Sequence, residues 1–130
     1  MKESEGCGVI DTGCSTTVCG VNWLENYMGF ITEYEKSCIK EESSLSTFTF
    51  GDGISVNSMK RVTLPCWIGG MKSTVVTDIV DCNIPLLLRK NSLKKAGMCL
   101  DFRNDTISTN GKTIQLRSTS SGHYVLPLSL

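Results

Sequence analysis

The stretch Gly8-Val9-Ile10-Asp11-Thr12-Gly13-Cys14-Ser15-Thr16-Thr17-Val18 constrains this chain more than any other. An apolar run climbs into one carboxylate, and the chain then breaks at a Thr-Gly step. That pattern predicts a strand at 7–11 running into a tight turn, with Asp11 at the turn's entrance and extended structure resuming at 16–19. Gly13 lacks a Cβ, so its backbone is free to take a strained conformation or to let another chain come close. Val9 and Ile10 wall the carboxylate with apolar groups, which favours sharing a proton over full ionisation when a second carboxylate is near. The tripeptide alone is weak evidence, and its surroundings carry the reading.

The rest of the chain narrows the chemistry by exclusion. At 130 residues it reads as one domain, 1–130, able to bury about two-thirds of its unfolded surface. Its 13 basic and 13 acidic residues balance, so no net field points to nucleic acid or to an anionic membrane. No apolar run approaches membrane-spanning length, and Met1-Lys2-Glu3-Ser4-Glu5 has no leader-like apolar segment. These features predict a non-secreted, cytoplasmic protein. Seven cysteines are present, an odd number with no Cys-x-x-Cys pair, and His123 is the only histidine. Zinc sites need clustered thiolates or imidazoles, so neither a metal nor any other cofactor is expected. The cysteines read as small hydrophobes rather than redox groups. No Gly-x-Ser-x-Gly elbow and no phosphate-cradling glycine loop occurs.

Periodicity then fills in the chain. Asn22-x-x-Glu25 reads as a capping box opening a helix over 22–32, with Trp23, Leu24, Tyr27, Met28 and Ile31 turned to the core. Residues 33–44, charged and serine-rich, read as a solvated loop. Alternation on both sides of Gly51-Asp52-Gly53 predicts a hairpin over 45–58. Strands are expected at 61–68, where Pro65 indicates an edge or bulge, and at 73–80 after a Gly69-Gly70 turn. A short strand at 84–88 leads into a capped helix of about two turns that Gly97 ends at a C′ position. The remainder reads as β-structure, with an Asn110-Gly111 hairpin turn and a closing strand at 123–128, able to cover an edge or to meet a second subunit.

Asp11-Thr12-Gly13, the hairpin at 45–58 and the apolar strand and helix at 84–97 follow the order of the retropepsins, the retroviral-type aspartic proteases also encoded by retrotransposons. The chain resembles that family over residues 7–102. The resemblance implies a mainly β fold, a closed acid-protease barrel with one helix after the active-site turn and a short helix in the C-terminal half. It implies that Asp11 is the catalytic carboxylate, that Thr12 braces the turn across a dimer, and that Gly13 keeps the main chain flat beside the substrate. Cys14 stands where the family has Ala or Ser. The hairpin takes the place of the flap, making Phe50, Gly51, Asp52 and Gly53 the substrate-contacting candidates. Arg89 stands where the family has glycine, which implies a strained turn there. The family's outer strand before the catalytic Asp has only ten residues available here, so an upstream piece or the strand 123–128 is expected to take its part.

The aspartic-protease mechanism uses two carboxylates, yet only one Asp-Thr-Gly occurs, and Asp52, Asp78, Asp81, Asp101 and Asp105 lack the Thr-Gly continuation. The expectation is therefore an aspartic endopeptidase whose paired Asp11 groups come from a homodimer, acting on a peptide or retroelement polyprotein, in the cytoplasm or within a retroelement particle. The alternative is a catalytically silent, retroelement-derived peptide-binding domain. A thiol redox protein is a distant third.

Overall fold

A computed structural model describes residues 4–13 and 16–129; the reading of Cys14 falls outside them. The chain is mainly β. In order come β1 (Cys7–Ile10), β2 (Val18–Gly20), α1 (Val21–Met28), α2 (Glu33–Ser37), β3 (Lys40–Glu42), β4 (Thr47–Thr49), β5 (Ser55–Asn57), β6 (Lys60–Ile68) and β7 (Met71–Val80). Then follow β8 (Leu86–Leu88), α3 (Lys90–Lys95), β9 (Cys99–Asp101), β10 (Thr106–Thr109), β11 (Lys112–Gln115), β12 (Arg117–Ser118) and β13 (Tyr124–Pro127). One eight-stranded sheet runs β12-β13-β1-β8-β2-β7-β6-β3, beside a three-stranded sheet β11-β10-β9 and the two-stranded β4-β5. The large sheet ends at β12 on one side and β3 on the other, so a closing seam between them is not among its pairings.

The β6–β7 hairpin is the long element, paired from Lys60↔Ile79 to Ile68↔Met71 across the Gly69-Gly70 turn. Its alternating Val62, Leu64 and Cys66 are buried, as the period-2 pattern requires. Pro65 lies beyond the reach of β3, which pairs only with Arg61 to Thr63, so β6 is locally an edge there. The aromatic stripe of α1 is core. Trp23 and Tyr27 stack at 4.9 Å, both buried. The Trp23 indole donates to the Ser4 and Cys7 carbonyls, and the Tyr27 hydroxyl donates to those of Pro65 (2.7 Å) and Leu128 (3.2 Å). Each ring contributes roughly 1.5–3 kcal/mol by burial, and the satisfied polar tips avoid a desolvation cost.

Several local expectations are corrected. Asn22 and Glu25 form no capping box: α1 begins at Val21 with Gly20 as N-cap and no side-chain cap bond, because β2 runs directly into the helix. The helix also stops at Met28, short of residue 32. The capping box belongs to α2, where Thr32 Oγ1 accepts the Glu35 N–H (3.1 Å) and Glu35 Oε1 accepts the Thr32 N–H (2.8 Å). Residues 33–44 are thus not a loop, since they hold α2 and also β3, which pairs with β6 through its backbone while its side chains stay exposed. The α3 helix has no side-chain cap at Arg89, and Arg89 is not strained: it sits at φ −75°, ψ 158°, ordinary extended backbone. Gly97 does end α3, at φ +66°, a left-handed position where a Cβ would be penalised. Strand β13 pairs with β1 inside the chain, Cys7↔Pro127 through Val9↔Val125, so it covers the outer side of β1.

Candidate functional site

The site is built around β8. It lies between β1 and β2, parallel to the first (Gly8↔Leu86, Val9↔Leu87, Ile10↔Leu88) and antiparallel to the second at Val18↔Leu87. The chain leaving β1 must therefore arch over the end of β8 before returning as β2. Asp11-Thr12-Gly13 begins that arch. The Asp11 N–H extends the ladder by one bond to the Leu88 carbonyl (3.1 Å), and Asp11 Oδ1 accepts the Gly13 N–H (3.1 Å). Asp11 is half-buried, and Thr12 and Gly13 are exposed. Gly13 is not left-handed, and among the described residues a Cβ there would meet Asp11 Oδ1 at 3.4 Å, an ordinary contact.

The far side of the arch is clamped to α3. The Thr17 hydroxyl accepts the Arg89 N–H (3.2 Å) and shares a hydrogen bond with Ser92 Oγ (2.9 Å), while the Thr17 carbonyl accepts the Asp78 N–H (3.1 Å). Thr17 is buried. The carboxylate is thus presented on a short turn whose two ends are tied to β8, α3 and β7.

The hairpin β4–β5 pairs Phe48↔Val56 between Thr47↔Asn57 and Thr49↔Ser55. Its tip is a turn in which the Gly53 N–H reaches the Phe50 carbonyl (2.9 Å) and Asp52 Oδ1 takes the Ile54 N–H (2.9 Å). Of the four hairpin candidates, only Phe50 packs against the body of the protein. Phe48 and Phe50 stack at 6.4 Å and rest on Val18 and Val80, with Cys82, Ile84 and Leu87 around them. Leu87 is the β8 residue paired with both Val9 and Val18, so this apolar cluster adjoins the arch. Gly51, Asp52 and Gly53 stand exposed at the tip.

A polar knot that the periodicity does not reveal ties the hairpin base down. Asp78 is fully buried in β7; Ser58 Oγ donates to its Oδ1 (2.8 Å) and Arg61 to its Oδ2 (3.3 Å). The same guanidinium reaches Ser44 and Ser46, both at 3.4 Å. The available signal was a lone charge in the apolar-rich strand Val75–Val80, whose 77–80 end is buried, since such a carboxylate requires a partner. Among the described residues no three His, Cys, Asp or Glu side chains gather as a metal site. Burial pushes the Cys19 thiol up to about 12 and the Cys66 thiol up to about 11, so both stay protonated and unreactive near neutral pH.

No family model and no curated protein matches the sequence. Among solved structures the chain is similar to the retroviral protease-like domain of Ddi1 from Leishmania major, at 12% identity over 82% of this chain and 79% of that one, with a TM-score of 0.48.

Proposed function

We propose that this chain is a retropepsin-like aspartic endopeptidase, active as a homodimer on peptide or polyprotein substrates of a retroelement. One observation carries the reading: the Asp11 carboxylate sits on an arch over β8, and the apolar underside of a β-hairpin lies on the strands beside it. A twofold axis at the arch would bring two such carboxylates together, as one chain supplies a single Asp-Thr-Gly. Two carboxylates about 3 Å apart hold one proton between them. The ionised one takes a proton from water, which attacks the scissile carbonyl carbon, while the protonated one gives its proton to the carbonyl oxygen. Collapse of the tetrahedral intermediate, with the proton taken from water passed to the amide nitrogen, then breaks the C–N bond and releases the amine. Thr12 braces the paired turns and Gly13 leaves room for them. The peptide lies extended under the hairpin, its main chain bonded as an added strand, with Phe50 through Gly53 closing over it.

The test is Asp11→Asn, assayed on a mixed peptide library together with sedimentation of the wild type. Cleavage falls by at least about a thousandfold, as for loss of a residue central to the chemistry, while the unfolding midpoint stays put because the one side-chain bond of Asp11 among the described residues is exposed. Wild-type cleavage that survives the substitution ends the proposal. One feature favours the second reading, a catalytically silent peptide-binding domain: β13 already occupies the outer side of β1, leaving that edge closed to a second subunit. A strict monomer at all concentrations that binds peptides without cutting them would select it.

A further inference from the structure

A groove of about 540 Å³ runs between β7 and α3 rather than beneath the hairpin tip. Thr16 and Thr17 of the arch line one end, and the charged groups around it are Arg61, Arg89, Lys95 and Asp78. Three cations face one carboxylate, and that carboxylate is fully buried and engaged by Arg61 and Ser58. Lys95 is exposed and has no ion-pair partner among the described residues. Hydroxyls of Ser73, Thr74 and Ser92 add neutral donors to the same walls. The groove is electropositive and rich in donors, which suits a carboxylate and disfavours a lysine or arginine.

Its position is fixed by the sheet. Ile10 and Leu88 are register partners and the Asp11 N–H bonds the Leu88 carbonyl (3.1 Å), so Asp11 lies beside the residue that precedes Arg89 of the groove wall. An extended peptide advances ~3.3 Å per residue, so one centred on Asp11 reaches the groove within about four residues of the scissile bond. We infer that the groove is a substrate subsite for an aspartate or glutamate side chain, an assignment that rests on the endopeptidase reading for its relation to the cut. In a twofold dimer it occurs twice, once on each side of the scissile bond, so an acidic residue on either side gains the same contact. Each contact is a partly exposed ion pair, strengthening binding by up to about fivefold.

The experiment uses the full chain carrying Asp11→Asn, immobilised and exposed to a random-sequence decapeptide library, with the retained peptides sequenced. Retained peptides are enriched in Glu and Asp over Gln and Asn by up to about fivefold, and raising salt from about 0.05 to about 0.5 M erodes the enrichment. Lys95→Gln weakens it, and Lys95→Glu abolishes it; both sit on an exposed position of α3. Absence of acidic enrichment, or enrichment unchanged in Lys95→Glu, overturns the subsite. Wild-type protein given the same library separates the two claims. Retained acidic peptides that the wild type never cuts leave the subsite standing and remove the protease. Cleavage with no acidic residue favoured near the cut keeps the protease and removes the subsite.

Discussion

The arch at Asp11 and the hairpin β4–β5 are the two halves of the site, and they are built in opposite ways. Every residue of β1 and β2 is buried, and β8 runs between them as a shared partner. Of the six residues in β4 and β5, only Phe48 is buried, and the two strands pair with nothing else. A two-stranded ribbon is marginal alone in water, so the hairpin depends on Phe48, Phe50 and the Asp78 knot. One half of the candidate site is therefore set by the core, and the other stands at the low end of local stability.

A pair of glycine substitutions tests the contrast most severely. Gly20 at the end of β2 has φ −84° and ψ 160°, a conformation any residue adopts, so its need for glycine is purely one of space. A Cβ there would lie 1.9 Å from the Cys82 carbonyl oxygen and 2.9 Å from the Ile84 nitrogen, both backbone atoms. Gly20→Ala is expected to destabilise by about 3 kcal/mol or more, read as a lowered urea midpoint. At the hairpin tip, a Cβ on Gly51 meets nothing within 4 Å, and Gly51→Ala should change stability by less than about 0.5 kcal/mol. Similar midpoints for the two variants would break the comparison.

Next in size is the tether between the halves. Asp78→Ala removes a fully buried carboxylate and leaves Arg61, whose side chain is 34% exposed, without its ion-pair partner. Breaking a fully buried pair costs 3–5 kcal/mol, and Arg61's access to water reduces this to about 2 kcal/mol. The loss should concentrate in the hairpin: amide hydrogen exchange across 44–58 accelerates far more than across β1 and β8. Uniform acceleration would mean that the knot supports the core rather than the clamp.

How much of this was legible beforehand follows from the range of each signal. The Asp11 turn, the Gly51-Asp52-Gly53 hairpin and the Gly97 helix stop were readable because each is a local pattern of residue types. The start of α1 was misplaced because its cap is a glycine with no side-chain signal, whereas Asn22 and Glu25 offered a false one. Strand β3 was invisible because Lys40-Glu41-Glu42 joins β6 through main-chain bonds and buries nothing. The insertion of β8 between β1 and β2 is a pairing across some 70 residues or more that no window of sequence displays. The expected strain at Arg89 did not materialise because the chain enters α3 there in the extended conformation of an N-cap, φ −75° and ψ 158°, open to any residue.

The smallest expected effect is a pH response at the opposite end of β6. That strand carries Arg61, which anchors the hairpin, and Trp67, whose indole donates to Glu35 Oε2 (3.0 Å). The Thr32 backbone N–H, then the Trp67 indole, hold the Glu35 carboxyl below its ordinary value. A carboxylate with a depressed folded pKa contributes stability that is full above its unfolded value, about 4.3, and is lost as pH falls through the folded one. Acid titration followed by tryptophan fluorescence should therefore show a step with its midpoint below about 4.3, absent in Glu35→Gln. Trp23 supplies the internal contrast, since its indole donates only to backbone carbonyls and has no titrating acceptor. Because Glu35 bears on α2 and the Trp67 end of β6, hydrogen exchange in the hairpin should not follow this step. A hairpin that loosens with the same midpoint would show that β6 transmits between its ends, and the two halves of the site would then be coupled rather than separately built.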